Sequence, residues 1–468
     1  MKKRNRIVQG FLIGACLVTF PLGASAQIII PDPTTEQRES INDLALPQSL
    51  ERKTGTFLEG MTHTWYEYLP SSYTGEQAVP LVVSLHGASG TGHDQARSTG
   101  WHLVAERDGF IVIFPNSSSN IDVRDSVNRW DNKKDGIDIE YLKELIDYAI
   151  SEYNIDTSRI YMHGVSNGDM MSLQFAVKHG DMLAGLASSI GPTHWGFFEK
   201  GEIDKPTNPL PVHQWRGEDD IIVLAPPREV SFDPAGRDEV NAFNKKLWLD
   251  VNGNDLIPEI RIDGKDNLEI YRGGSALFLY NEVKDAPHGQ EVYAADSMWS
   301  ELLSGYSRGP NGEIIPSEPI DSPSGDKNAT AIVVGADKAF IDNKVVPLQN
   351  GGPTLIDNSI YVPVQFLNHA FGAAVELRSE GKQAIVTTPE GANIAFSQGN
   401  AAITVNNRIE TLEQKVVLMD GQLMVPMRPI SETLFNKNVS YNNGAVYISD
   451  HYAELSRGIA RTLTNILK

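Results

Sequence analysis

Cysteine is almost missing from this sequence: among 468 residues only Cys16 occurs. A disulfide needs a pair and a thiolate metal site needs several ligands, so both are excluded. Positive charge is also short, with 40 Lys and Arg against 60 Asp and Glu and a formal net charge of -20. A nucleic-acid surface needs a basic patch to displace phosphate counterions, so no nucleic-acid partner is expected. Long apolar runs are lacking too, apart from Ile7 to Leu22, which Gln9 interrupts. That run falls short of the roughly 20 residues a membrane-spanning helix needs.

What surrounds the run gives it a different meaning. It follows the basic MKKRNR and precedes Ala24-Ser25-Ala26, the order of an n-region, an h-region and a small-residue cleavage site. Residues 1–26 are therefore expected to be a signal peptide cleaved after Ala26, and the protein to be secreted, with cell-wall association as an option. Leu12-Ile13-Gly14-Ala15-Cys16 also fits a lipobox. That reading is weaker, because the apolar stretch continues past Cys16.

The length suggests about two to three domains. Residues 27–50 carry little periodicity and read as a leader or linker. From 51 to 305, short runs rich in Val, Ile and Leu alternate with helical patterns. LVVSLHG (81–87), FIVIFPN (110–116), RIYMHG (159–164), LAGLASSIG (183–191) and LPVHQWRG (210–217) read as strands, and 139–153 reads as an amphipathic helix. Such alternation predicts an α/β domain with a mostly parallel sheet covered on both faces. Residues 306–330 are rich in Pro, Gly and Ser and read as a linker. Beyond it lies an internal repeat: 360–377 recurs as 423–441, with Val362-Pro363 answered by Val425-Pro426. Each copy reads as strand, short helix, two strands, so residues 331–450 are expected to form one small α+β domain of two repeats. Residues 451–468 read as an amphipathic C-terminal helix.

The chemistry centres on HGVSNG (163–168). Gly164-Val165-Ser166-Asn167-Gly168 follows a buried-type strand and precedes a helical pattern, the context of a nucleophile elbow. A serine is a weak nucleophile without a base, and that base needs an orienting carboxylate. Two later strands end in suitable groups. One runs into Arg216-Gly217-Glu218-Asp219-Asp220 and the other into Asp285-Ala286-Pro287-His288, so the chain order is serine, acid, histidine. Any of Glu218, Asp219 and Asp220 could serve as the acid. The oxyanion hole is expected from the backbone N–H of Asn167 and from Ala88 in the loop HGASGTG. Trp130, Trp195 and Phe197 are candidate substrate contacts, and His86 is a candidate brace for the oxyanion loop.

Taken together, the stretches 81–116, 135–171, RGEDDIIV and APHGQ resemble the polyhydroxybutyrate-depolymerase-like esterases, close to the feruloyl and acetylxylan esterases. The likeness covers roughly residues 55–305. It implies an α/β-hydrolase fold, with Ser166 as nucleophile, Asp220 as acid and His288 as base. It implies an ester substrate, on polysaccharide or polyester, and no cofactor. Three positions depart from the family pattern: Arg216 replaces a histidine in the acid motif, Asp169 replaces a small residue after the elbow, and Ala88 replaces a cysteine. The base is also not followed by the tryptophan of many depolymerases, which points toward polysaccharide acyl esters. The repeats resemble the copper amine oxidase N-terminal-like domain, on SIYVPVQFL and QLMVPMRPI. His369 is their only histidine, too few for copper, so no metal is expected and the repeats read as an accessory module for a cell-wall or polymer surface.

Overall fold

The computed structural model describes residues 49–468 apart from 59, 119–128, 192, 194, 222–233, 320–321 and 349–350. The expected signal peptide, Cys16 and nearly all of the 27–50 segment lie outside the described residues. Among those described, no helix is long and apolar enough to cross a membrane.

Ten strands form the main sheet: β1 (Leu50–Phe57), β2 (Met61–Tyr68), β3 (Val79–Leu85), β4 (Ile111–Pro115), β5 (Ile155–Val165), β6 (Gly185–Ser189), β7 (Val212–Gly217), β8 (Glu259–Asp263), β9 (Asp266–Tyr271) and β10 (Phe278–Val283). Their order is β1-β2-β4-β3-β5-β6-β7-β10-β9-β8. The run from β4 to β10 is parallel, and antiparallel strands close both edges. The helices are α1 (Gly92–Thr99), α2 (Trp101–Asp108), α3 (Ile137–Glu152), α4 (Asn167–His179), α5 (Trp195–Glu199), α6 (Pro234–Asn252) and α7 (Ala294–Glu301).

Strand period explains how both faces are covered. Side chains alternate across a strand, so consecutive apolar residues feed two different cores. Leu81, Val83, Ile111, Ile113, Ile160 and Met162 pack with α3, α4 and Trp248. Their neighbours Val82, Val112, Phe114 and Tyr161 pack on the other side with α1, α2 and α7. The chain passes from β3 outward to β4 and returns to β5 on the opposite side of β3. Ligands bind at such a reversal, beyond the carboxyl ends of the strands. Ser166 directly follows β5 there, beside His86-Gly87, which follow β3.

The segment expected as a linker is docked along much of its length. β11 (Tyr306–Arg308) and β12 (Ile314–Pro316) form a hairpin held to the body of the main sheet by Arg308 Nε donating to Leu183 O at 2.6 Å. Further on, Arg261 Nη1 donates to Pro323 O at 2.7 Å. The glycines and prolines here shape turns, and these anchors fix the segment at its two ends while most of residues 310–319 remain exposed.

The repeats build a β-rich unit of three sheets. The first contains β13 (Thr330–Val333), β14 (Lys338–Ile341), β15 (Lys344–Pro347), β25 (Asn438–Asn442) and β26 (Ala445–Ser449). The second contains β16 (Thr354–Ile356), β17 (Ser359–Pro363), β23 (Val417–Met419) and β24 (Gln422–Pro426). The third is the meander β18 (Ala374–Arg378), β19 (Gln383–Thr387), β20 (Asn393–Ser397), β21 (Ala402–Val405) and β22 (Arg408–Thr411). The two copies meet at their shared motif, where β17 and β24 pair antiparallel with Val362 opposite Val425. Each motif strand leads into a short helix, α8 (Phe366–Phe371) or α9 (Met427–Leu434).

The final helix, α10 (Arg457–Leu467), ties the two halves together. Its apolar stripe, Ile459, Leu463 and Leu467 at four-residue spacing, is fully buried. It shares a core with Ile260 and Ile262 of β8 and with Ala331, Val333 and Tyr447 of the repeat unit. Burial of each Ile, Leu or Val side chain in this core contributes about 2 kcal/mol.

Candidate active site

Three strand ends supply the three groups. β5, β7 and β10 are parallel and nearly adjacent, so the residues following them gather on one edge of the sheet. Ser166 links β5 directly to α4 with φ 55° and ψ −113°. A non-glycine residue at positive φ stores about 1–3 kcal/mol of strain, so the surroundings must enforce it. They do so through close packing. A side chain on Gly164 would collide with the Gly168 backbone, and one on Gly168 would collide with the Leu85 carbonyl. Ser166 N is held by Ser189 O at 2.8 Å.

His288 Nε2 lies 2.9 Å from Ser166 Oγ, and His288 Nδ1 lies 2.8 Å from Asp220 Oδ2. The carboxylate can only accept, so Nδ1 carries the proton and Nε2 is left to accept from the serine hydroxyl. All three side chains are at most 4% exposed. Low dielectric strengthens both bonds and keeps water from competing for them. The neighbouring acids point elsewhere. Glu218 Oε2 accepts from Asp285 N at 2.8 Å, and Asp219 Oδ1 accepts from Arg457 at 2.7 Å.

A cavity of about 110 Å³ opens at the serine, lined in part by Gly87, Ala88, Gln95, Ser166, Ile190 and His288. Asn167 N opens α4, and the first amides of a helix have no acceptor within it, so this one is available to developing negative charge. Ala88 lines the same cavity. His86 lies behind the loop: its Nδ1 donates to Gly87 O at 2.7 Å, and its Nε2 accepts from Ser117 N at 3.3 Å. Burial pushes its pKa down to about 4, so the ring is neutral and both nitrogens are committed to backbone.

The expected aromatic contacts stand apart from this cavity. Trp130 is 3% exposed, its Nε1 donates to His86 O at 2.8 Å, and its ring lies 4.9 Å from the His86 ring. A side chain buried that way braces the loop and offers no face to a substrate, which corrects the expectation. Trp195 and Phe197 sit half-buried on α5, with Trp195 against Phe243 at 6.1 Å. Neither is among the described residues that line the cavity.

Comparison with known proteins points to esterases. Residues 64–196 match the family model described as Esterase PHB depolymerase, and residues 324–386 and 340–449 match that of the Copper amine oxidase N-terminal domain. The resemblance to polyhydroxybutyrate-depolymerase-like esterases holds. A bifunctional acetylxylan esterase/xylanase of Neocallimastix patriciarum is 27% identical over 165 residues, 35% of this chain and 22% of that protein. A poly(3-hydroxyalkanoate) depolymerase C of Paucimonas lemoignei is 24% identical over 238 residues, 42% of this chain and 56% of that one. A feruloyl esterase B of Piromyces equi is 26% identical over 221 residues, 45% and 40% respectively. The chain thus spans between a fifth and three-fifths of the length of these relatives. Among solved structures, an acetyl xylan esterase from Aspergillus awamori superposes with a TM-score of 0.40 at 19% identity, over 53% of this chain and 97% of that one.

Two departures from the family pattern turn out to be one feature. Asp169 and Arg216 are 47 positions apart in sequence, yet Arg216 Nη1 lies 3.3 Å from Asp169 Oδ2, with both side chains buried beneath the elbow. The same carboxylate oxygen accepts from Ser188 Oγ at 2.9 Å and Gly191 N at 2.8 Å. Burial pushes the Asp169 carboxyl above the usual carboxylate range, while the guanidinium and these hydrogen bonds oppose it. The pairing could have been suspected from two charged residues replacing uncharged family positions, one of each sign. Removing the cation alone strands a buried charge. Arg216→Met is therefore expected to destabilise the protein by about 3–5 kcal/mol, while Arg216→Met with Asp169→Ala loses less. Urea unfolding of the single and double variants is the check, and a double variant as unstable as the sum of the singles would mean the two side chains do not act as a pair.

One acid cluster with metal-ligand spacing occurs among the described residues. Glu218, Asp219 and Asp285 bring carboxylate oxygens within 4.8 Å of one another. Arg457 and Lys284 already sit among them at 2.7–4.0 Å and supply the countercharge.

Proposed function

We propose that the chain is a secreted serine carboxylic-ester hydrolase acting on short acyl esters of polysaccharide, acetyl in preference to feruloyl. The observation that carries this is the buried relay from Asp220 through His288 to Ser166, with bonds of 2.8 and 2.9 Å. In this reading His288 takes the Ser166 proton as Oγ attacks the ester carbonyl, and Asp220 stabilises the imidazolium that forms. The N–H groups of Asn167 and Ala88 receive the oxyanion. The imidazolium then protonates the departing alkoxide, and water, deprotonated by His288, releases the acyl group.

Relatives named for acetylxylan, feruloyl and polyhydroxyalkanoate esters share this bond type and differ in the acyl group. A cavity of about 110 Å³ suits a short acyl chain, and the aromatic side chains that would stack on a feruloyl ring lie outside its lining. We propose further that residues 51–305 form the catalytic domain and that the repeats of 331–450 contact a polymer or cell-wall surface. Initial rates on p-nitrophenyl acetate, butyrate and ferulate, acetylxylan and polyhydroxybutyrate test the assignment. Acetyl esters are expected to turn over at least about tenfold faster than ferulate, the discrimination a shape-matched pocket provides. Faster release from polyhydroxybutyrate than from acetylxylan would instead make the protein a polyester depolymerase, and no turnover of any ester would leave a binding protein.

A further inference from the structure

The loop that carries the triad acid is gripped by the far end of the chain. Arg457, 237 residues after Asp220, is the first residue of α10, and Ser456 caps that helix through Oγ, which accepts from Ile459 N at 3.3 Å. Arg457 N donates to Glu218 Oε1 at 2.6 Å, and its Nη2 donates to both Glu218 O at 2.8 Å and Asp219 Oδ1 at 2.7 Å. The next amide, Gly458 N, donates to Glu282 Oε1 at 2.8 Å, just before the end of β10. One helix terminus thus holds the ends of both strands that deliver the acid and the base.

The loops are also tied to each other. Asp219 N donates to Ala286 O at 2.7 Å, Asp220 N closes a turn onto Gly217 O at 3.2 Å, and Glu218 Oε2 accepts from Asp285 N. Glu218 and Glu282 are 3% and 2% exposed. Two buried carboxylates this close to a third and fourth acid need cations and amide donors, and the positive end of α10 with its arginine provides them. Glu218 is therefore the joint: one oxygen faces α10, the other faces the loop that ends in His288.

We propose that Arg457 is a positioning residue for the triad acid, holding the 217–220 turn so that Asp220 stays on His288. The C-terminal helix is then part of the active architecture, and the repeat unit in front of it is coupled to the hydrolase through the shared core at β8. The inference rests on the hydrolytic reading above. Its consequence is kinetic, because a carboxylate displaced by about 1 Å can cost on the order of a hundredfold in rate without affecting substrate binding.

In the full chain, Arg457→Ala is expected to lower kcat on p-nitrophenyl acetate by roughly 10- to 100-fold with KM within about threefold. Added ethylguanidinium should restore part of the loss, and Arg457→Lys, which keeps the charge but not the fork, should fall between. Arg461→Ala is the control: Arg461 holds the same helix to α6 through Asp238 at 2.6 Å and, among the described residues, bonds to neither triad loop, so its kcat should remain that of the parent. If Ser166→Ala is inactive while Arg457→Ala keeps the parent kcat, or if Arg461→Ala loses as much as Arg457→Ala, Arg457 has no positioning role although the esterase reading stands. If the parent chain itself hydrolyses no ester, the reading beneath the proposal fails instead.

Discussion

Ser166→Ala is expected to yield a folded protein that hydrolyses p-nitrophenyl acetate roughly 10⁴- to 10⁶-fold more slowly than the parent chain. The hydroxyl lies 2.9 Å from His288 Nε2, which deprotonates it in the proposed mechanism, and alanine removes it while leaving the proposed oxyanion donors in place. Those donors and substrate binding alone sustain the residual rate. The strained backbone at φ 55° is unaffected, because alanine carries the same Cβ as serine. Stability should therefore change by about 1 kcal/mol or less, the net worth of one hydrogen bond. Steady-state rates and a thermal melt on the same preparation separate the two effects. A fluorophosphonate should label the parent chain at Ser166 and leave the variant unmodified. A variant within tenfold of the parent rate would mean that another group attacks the ester.

Asp220→Asn carries the second large effect, about 10⁴-fold in kcat. In the proposed mechanism the carboxylate, 2.8 Å from His288 Nδ1, fixes the proton there and balances the imidazolium charge. An amide is neutral, and turned to present its NH₂ it forces the proton onto Nε2, where the ring can no longer accept from Ser166. The neighbouring acids should behave differently. Asp219→Asn removes a half-exposed carboxylate that faces Arg457, and its cost should stay within a few fold. Glu218→Gln lies between, because its two oxygens receive Arg457 N and Asp285 N and an amide can satisfy only one of them. Parallel kcat measurements on the three variants rank the acids, and equal losses would remove Asp220 from its place as the orienting group.

The elbow was readable in the chain because its causes are local. A strand pattern, two glycines at fixed spacing and a following helix pattern all lie within a few residues, and the close packing that requires the glycines recurs wherever a strand turns so sharply into a helix. The parallel sheet was readable for a similar reason: continuous apolar runs alternating with amphipathic ones have few other ways to bury both faces. The repeat was visible as Val362-Pro363 and Val425-Pro426, and its self-pairing follows from two similar edges meeting antiparallel.

Tertiary structure decided the rest. Glu218, Asp219 and Asp220 are adjacent acids with no local feature to rank them, and only the direction in which each leaves the turn puts Asp220 on His288. Trp130 reads in the sequence as a candidate substrate contact in a loop, yet it is buried against His86, 44 positions earlier. The Asp169–Arg216 pair and the Arg457–Glu218 joint span 47 and 239 positions; the first pairs two buried charges, and the second sets a buried carboxylate against the backbone amide and the part-exposed guanidinium of Arg457. The stripe on α10 showed in the sequence as amphipathicity, which says that a helix will be covered but not by what. Periodicity and backbone sterics act between neighbours in sequence and can be read there. Charge compensation acts between neighbours in space, and folding alone chooses those.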